Sequence, residues 1–188
     1  MVNLKSQSKT GEKSMEELKK KIRNVQDFPK PGIGFKDITT LIKEGKAFQS
    51  SIEAIADHYS PDDVDVIVGI ESRGFIFASA LAYKWGKGLV LVRKPGKLPA
   101  EKLKEEYQLE YGTDAVEIHK DSIQANQRVL IIDDLLATGG TVAAAARLVE
   151  RLQGKIVGIG FLIELTFLNG REKLKEYDVL SLITFESE

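Results

Sequence analysis

Two adjacent carboxylates, Asp133 and Asp134, stand shortly before a run of small residues, Ala137, Thr138, Gly139 and Gly140, and a hydroxyl residue, Thr141. Without bulky side chains the backbone N–H groups of such a turn can converge on an anion, and the amino end of a following helix adds partial positive charge. The stretch therefore reads as a phosphate cradle. No Lys follows the glycines, so it is not a Walker loop, and it lacks the three-glycine dinucleotide pattern. Two acids beside a phosphate would repel it unless something lies between them. Sugar hydroxyls can do that, because ionised carboxylates only accept hydrogen bonds and a vicinal diol donates two. A bound cation is the alternative. Either way the residues point to a phosphorylated sugar.

Further chemistry-bearing residues lie upstream. Glu71, Ser72 and Arg73 follow an apolar run and precede a helical one; an Arg at a helix start opposes the dipole and calls for an anion or a carboxylate partner. Arg93, Lys94 and Lys97 follow another apolar run, and together with Arg73 they would meet a second anionic group. Glu110 sits between Leu109 and Tyr111, with Tyr107 close by. Desolvation there would raise its carboxyl and suit a general acid, although a surface glutamate is the commoner outcome. His58 reads as a favourable charge in a last helical turn and His119 as a surface residue.

These residues need elements to hold them. Val129, Leu130, Ile131 and Ile132 form an unalternating branched run, the mark of a strand buried on both faces, and ligands of open α/β sheets sit outside the carboxyl ends of such strands. Strands are also expected over 64–70, 89–92, 156–165 and 179–185, with an alternating edge strand over 115–119. Helices are expected over 45–59, with Phe48, Ile52, Ile55 and Ala56 inward, over 75–83 and 142–152, and as a short charged piece over 171–177. Ser14 with Glu17 makes a capping box for a short helix carrying Met15, Leu18 and Ile22 on one face. Two prolines and two glycines exclude a helix from 27–37, and composition favours a packed connection there over a lid. Residues 98–114 show mixed charge and no clean period, the look of an irregular lid. The alternation of strands and helices indicates an α/β fold with a mainly parallel central sheet, antiparallel additions and flanking helices.

The 188 residues suit one domain, 14–188, after a polar tail at 1–13 that composition marks as disordered. Lys plus Arg number 27 against 28 Asp plus Glu, so no global field recruits nucleic acid or an anionic membrane, and any anion site is built locally. The absence of cysteine excludes disulfides, thiolate metal sites and a Cys nucleophile, and is compatible with a reducing cytosol. The longest apolar run, 156–165, is too short to span a bilayer.

VLIIDDLLATGGT resembles the binding signature of the type I phosphoribosyltransferases. From 27 to about 185, PGIGFKDIT, GIESRGF, RKPGKLP and LEYG resemble, in order, the members that act on adenine. The resemblance implies a cytoplasmic, homodimeric glycosyltransferase of purine salvage that joins adenine to 5-phosphoribosyl 1-diphosphate (PRPP), gives AMP and pyrophosphate, and uses Mg2+ bound to the sugar diphosphate rather than to protein. It implies that residues 137–141 hold the 5-phosphate, and Asp133 and Asp134 the ribose hydroxyls or metal-bound waters. Glu71, Ser72 and Arg73 become a pyrophosphate loop with an unusual cis peptide. Arg93, Lys94 and Lys97 neutralise pyrophosphate, with action across the dimer left open. Glu110 handles the proton on purine N7 and forms the catalytic set with Arg73, while Tyr107 and Tyr111 belong to a flexible loop over about 95–114. The segment 14–40 becomes a hood in which Ile33, Gly34, Phe35 and Lys36 meet adenine. Gly34 stands where a larger aliphatic residue is common and Lys36 where Arg is, and Lys cannot make Arg's planar bidentate contact. A sensor of the sugar diphosphate on the same fold, or a transferase for another purine, are the alternatives.

Overall fold

A computed structural model describes residues 15–108 and 112–187. The tail at 1–13, Ser14 of the expected capping box, and Leu109, Glu110 and Tyr111 lie outside the described residues. Five parallel strands form the central sheet in the order β4-β3-β7-β8-β9: β3 (Val66–Ile70), β4 (Gly88–Val92), β7 (Arg128–Leu136), β8 (Lys155–Leu165) and β9 (Val179–Phe185). Two antiparallel pairs stand outside it, β1 (Arg23–Val25) with β2 (Phe35–Asp37), and β5 (Lys102–Gln108) with β6 (Thr113–His119).

Alternate side chains of the central strands feed two cores. Val66, Val68, Ile70, Val129 and Ile131 pack on the side of α5 (Gly140–Arg151), where Val142, Leu148 and Val149 are buried. Ile67, Leu130 and Ile132 face the other side, against α3 (Gly45–His58) and α4 (Gly74–Trp85), where Ile52, Ile55, Phe77 and Leu81 are buried. Both faces of β3 and β7 are thus dry, as their uniform apolarity requires. A helical turn over 15–19 (α1) adds Leu18 to the second core, with Met15 and Ile22 beside it, and a further short helix, α2 (Thr39–Ile42), contributes Leu41. Among the described residues no helix is long and apolar enough to cross a membrane.

Three expectations change. Most of 98–114 is not irregular: Lys102–Gln108 pairs with Thr113–His119 as a hairpin. Its period is hidden by Glu105, which sits at an inward position where a hydrophobic residue would be expected and is satisfied there by Arg147 and Arg151 of α5. The charged piece at 171–177 is not an α-helix; two 3-10 turns, Thr166–Leu168 and Gly170–Leu174, meet at Asn169, whose φ of 52° breaks the run. Finally, β7 does not stop before the acids. Its pairing with β3 ends at Ile132 opposite Gly69, but its pairing with β8 continues to Leu136 opposite Glu164, so Asp133 and Asp134 lie within the strand yet beyond its pairing with β3.

Candidate active site

That offset between β3 and β7 builds the site. The chain leaving β3 turns through Glu71, Ser72 and Arg73 into α4 just where β7 overhangs it, and the Glu71–Ser72 peptide is cis, as the resemblance implied. Arg73, the residue before the first turn of α4, has the carboxylate partner its position called for: its Nε lies 2.9 Å from Asp134 Oδ2. The same guanidinium stacks over Phe35, 4.8 Å from the ring centroid, and donates to the Lys36 carbonyl at 3.3 Å. One arginine thereby joins the acid pair to the hood.

Asp134 is buried, and among the described residues its Oδ2 has the charge of Arg73 nearby but no well-directed hydrogen bond. A buried carboxylate oxygen in that state is an acceptor awaiting a donor. Asp133 accepts from the Asp134 amide at 2.8 Å through Oδ1. Burial, and then the neighbouring Asp134 charge, push the Asp133 carboxyl well above its ordinary range; burial pushes Asp134 up as well, with Arg73 pulling against it. Two adjacent carboxyls in so dry a place do not both ionise easily until a ligand brings donors or positive charge.

Beyond the acids the turn closes tightly. Gly139, at φ 74°, is the residue before α5, and among the described residues no side chain caps that helix. Thr141, just ahead of the helix expected over 142–152, lies inside its first turn instead. The first amides of α5 therefore remain for an anion. A cavity of about 70 Å³ is lined by Asp133 and residues 135–142.

The cations divide by task. Arg93 grips Glu71 with two nitrogens, at 3.1 and 3.2 Å, and donates to the Lys97 carbonyl at 3.2 Å, while the Lys94 amide adds a bond to Glu71 at 2.8 Å. Burial alone would raise the Glu71 carboxyl; the Lys94 amide and the Arg93 guanidinium outweigh it and hold the group below its usual value. Lys94 turns its ammonium to the hairpin, donating to Tyr107 Oη at 2.7 Å and to the Asp114 carboxylate. Lys97 is exposed at the same edge. Tyr107, which the resemblance placed in a flexible loop, is 6 % exposed with its ring against Gly140 at the start of α5.

In the hood, Phe28 and Phe35 meet edge to face at 5.1 Å, after a cis Phe28–Pro29 bond. Ile33 and Phe28 are exposed, and the Ile33 carbonyl accepts from the Phe28 amide. Gly34 is half-buried between Ile33 and Phe35. Lys36 is buried; its ammonium lies 3.2 Å from Asn24 Oδ1 and 4.5 Å from the Phe185 ring centroid. His58 comes within 3.5 Å of Asp178, and the His119 ring accepts from the Ala100 amide at 3.4 Å; both are remote from the acids in the fold.

Sequence reasoning missed several contributors. Asp114 engages Lys94 and gives no signal in sequence. Gly74 and Gly170 back the acids and the turn, and their only signal was glycine beside arginine. Glu164 is a charge in the buried part of β8, where only a partner makes it tolerable; Arg171 is that partner, reaching both carboxylate oxygens.

Residues 39–187 match the model of the phosphoribosyl transferase domain. The adenine phosphoribosyltransferase of Chloroflexus aurantiacus is 58 % identical over 170 residues, covering 90 % of this chain and 98 % of that one. Among solved structures, the adenine phosphoribosyltransferase of Thermoanaerobacter pseudethanolicus superposes with a TM-score of 0.88 at 58 % identity, over 91 % of this chain and 99 % of that one. The Saccharomyces cerevisiae enzyme, solved with an imino-altritol bisphosphate and adenine, gives 0.86 at 42 % identity over the same shares. An acid pair overhanging a strand end, an uncapped glycine turn and this likeness over nine-tenths of the chain agree: the chain belongs to the phosphoribosyltransferase family, among the adenine phosphoribosyltransferases.

Proposed function

We propose that the protein transfers the 5-phosphoribosyl group of PRPP to adenine, giving AMP and pyrophosphate in purine salvage. The observation that carries this reading is the buried Asp134 Oδ2, short of a directed hydrogen bond and one residue from Asp133, beside an uncapped helix start. A ribose 5-phosphate satisfies both at once: its hydroxyls donate to the acids and its phosphate takes the amides of 137–141.

The remaining residues follow from charge and position. The diphosphate lies along Glu71, Ser72 and Arg73, within reach of Arg93, Lys94 and Lys97. Adenine enters the hood, its edge met by main-chain groups of residues 33–36 and its ring packed on Phe35. Phosphoribosyltransferases generally use Mg2+ with PRPP. The donor set here, one buried and one half-buried carboxyl with an acceptor oxygen to spare, fits holding such an ion through its bound waters and the sugar diphosphate. When bound, the ion neutralises charge on the diphosphate.

The base N9 lone pair forms the new bond to the anomeric carbon while the bond from that carbon to the diphosphate oxygen breaks, its electron pair leaving with pyrophosphate. The proton on N7 passes to Glu110. Positive charge that develops on the ribose ring is stabilised by the acids, and the negative leaving group by the cations across the site. A cytoplasmic homodimer is part of this reading. Tyr83, 91 % exposed near the end of α4, and Leu89, 38 % exposed on the edge strand β4, offer apolar surface for a second copy.

The test is direct. Incubation with PRPP and magnesium, and separately adenine, hypoxanthine or guanine, yields nucleotide from adenine alone. Nucleotide from another purine reassigns the base, and nucleotide from none leaves the protein a sensor of the sugar diphosphate.

A further inference from the structure

The phosphate cradle is backed by a segment from the far end of the chain. Gly170 lies directly behind it: a Cβ placed on Gly170 would overlap the Ala137 carbonyl oxygen and stand 2.9 Å from the Gly139 nitrogen, and one placed on Gly139 would stand 2.5 Å from the Gly170 carbonyl oxygen. Backbone meets backbone with no side chain between. Such an approach requires glycine on both sides and transmits any displacement of one strand of chain to the other.

What fixes Gly170 is the next residue. Arg171 folds back along the sheet, donating to both carboxylate oxygens of Glu164 near the end of β8, to the Val179 carbonyl at 2.9 Å and to Ser181 Oγ at 3.1 Å on β9. Glu164 is 5 % exposed. Asn169, in the left-handed region at φ 52°, turns the chain into the segment that carries both the Gly170 backbone and the Arg171 side chain. Leu174 closes the segment by burying itself in the α5-side core.

We infer that Glu164 and Arg171 are positioning residues for the 5-phosphate subsite: their ion pair anchors Gly170, and Gly170 sets the spacing of the 137–139 backbone that receives the phosphate. Neither side chain touches the ligand. The inference rests on the proposed placement of the ribose phosphate and adds to it a wall built from residues 164–171. Among the described residues the hydrogen bonds and ion pairs of Glu71, Arg73 and Arg93, which form the proposed diphosphate subsite near the β3 end, go elsewhere than to that wall, so the two ends of the substrate should respond differently when the wall is disturbed.

The experiment compares ribose 5-phosphate with magnesium pyrophosphate as separate ligands. In Gly170→Ala the dissociation constant for ribose 5-phosphate rises about tenfold or more, the change expected from forcing one extra methyl into a packed contact, while that for pyrophosphate changes by less than about twofold. Arg171→Lys keeps a charge for Glu164 but loses the planar fork, and shows the same split in the same direction. On the unaltered protein, hydrogen exchange with ribose 5-phosphate bound slows at 137–141 and also at 166–174. Unchanged ribose 5-phosphate binding in a folded variant, equal weakening of both ligands, or protection confined to 137–141 overturns the inference while leaving the proposed function standing. Protection absent from 137–141 overturns the placement of the phosphate itself, and the wall with it. If Gly170→Ala does not fold, the Arg171→Lys titration and the exchange pattern decide.

Discussion

Gly74 and Asp133 are pressed together: a Cβ on Gly74 would lie 2.6 Å from Asp133 Oδ1 and 3.0 Å from the Ile132 carbonyl oxygen. The first residue of α4 thus forms one side of the slot that holds the first acid. Gly74→Ala is expected to push Asp133 out of that slot, lowering stability by about 1–3 kcal/mol as overpacking does, and to weaken PRPP binding in the fraction that folds. Denaturant unfolding and a PRPP titration on one preparation check both.

The elevated carboxyl of Asp133 gives the ligand-free protein a pH signature. In the unfolded chain the group loses its proton in the ordinary carboxylate range; in the folded chain burial, and then the Asp134 charge, keep the proton on to higher pH. Between those two values the folded state binds more protons, so stability is full below the unfolded value and falls as pH rises through the folded one. Asp133→Asn removes this decline. Melting curves of both proteins from pH 4 upward should converge at the low end and diverge as pH rises, with the variant the flatter.

Lys94, proposed to meet pyrophosphate, is held by the hairpin. Hydrogen bonds to Asp114 and Tyr107 outweigh the effect of burial and raise the Lys94 ammonium, and the Lys94 bond is the main cause lowering Asp114. Both side chains are about one-third exposed, which keeps the pair weak. Asp114→Asn is expected to release Lys94 and tighten pyrophosphate binding by about 0.5 kcal/mol, roughly twofold. Isothermal titration with magnesium pyrophosphate measures it, and Lys94→Met should move the constant in the opposite direction.

Glu110→Gln should slow turnover of adenine by about 10²- to 10⁴-fold with PRPP affinity nearly intact, the signature of a lost proton carrier. Equal turnover in variant and parent would take Glu110 out of the mechanism. Single-turnover rates beside a PRPP titration separate the two effects.

Val66 to Ile70 and Val129 to Ile132 were legible as sheet interior because both faces are dry, and the turn at Gly139 because nothing but small residues fits there. The acids' position was legible only in part. That β7 outruns β3 depends on β8, a partner 27 or 28 residues away in sequence at every pairing, and local patterning carries no record of it. Glu105 misled because it is a charge at an inward position whose partners, Arg147 and Arg151, come from another element; Glu164 is a charge of the same kind within a strand that was expected, and sequence alone gave no sign of its partner Arg171. Charged residues 171–177 resembled a solvated helix, yet Arg171 is spent holding two strand ends together. Conversely, the partner demanded by Arg73 at a helix start was found in Asp134, because the argument concerned charge and not contact.

Lys36 brings its ammonium to Asn24 and to the face of Phe185 in the last strand. Its charge therefore acts as a rivet between the first part of the chain and the final strand, and what position 36 presents inward is peptide, with its carbonyl already engaged by Arg73. Exchange of lysine for arginine at this place therefore changes a fastening between the chain's first sheet and its last strand, because the ammonium that Asn24 and the Phe185 ring receive would be replaced by a planar fork.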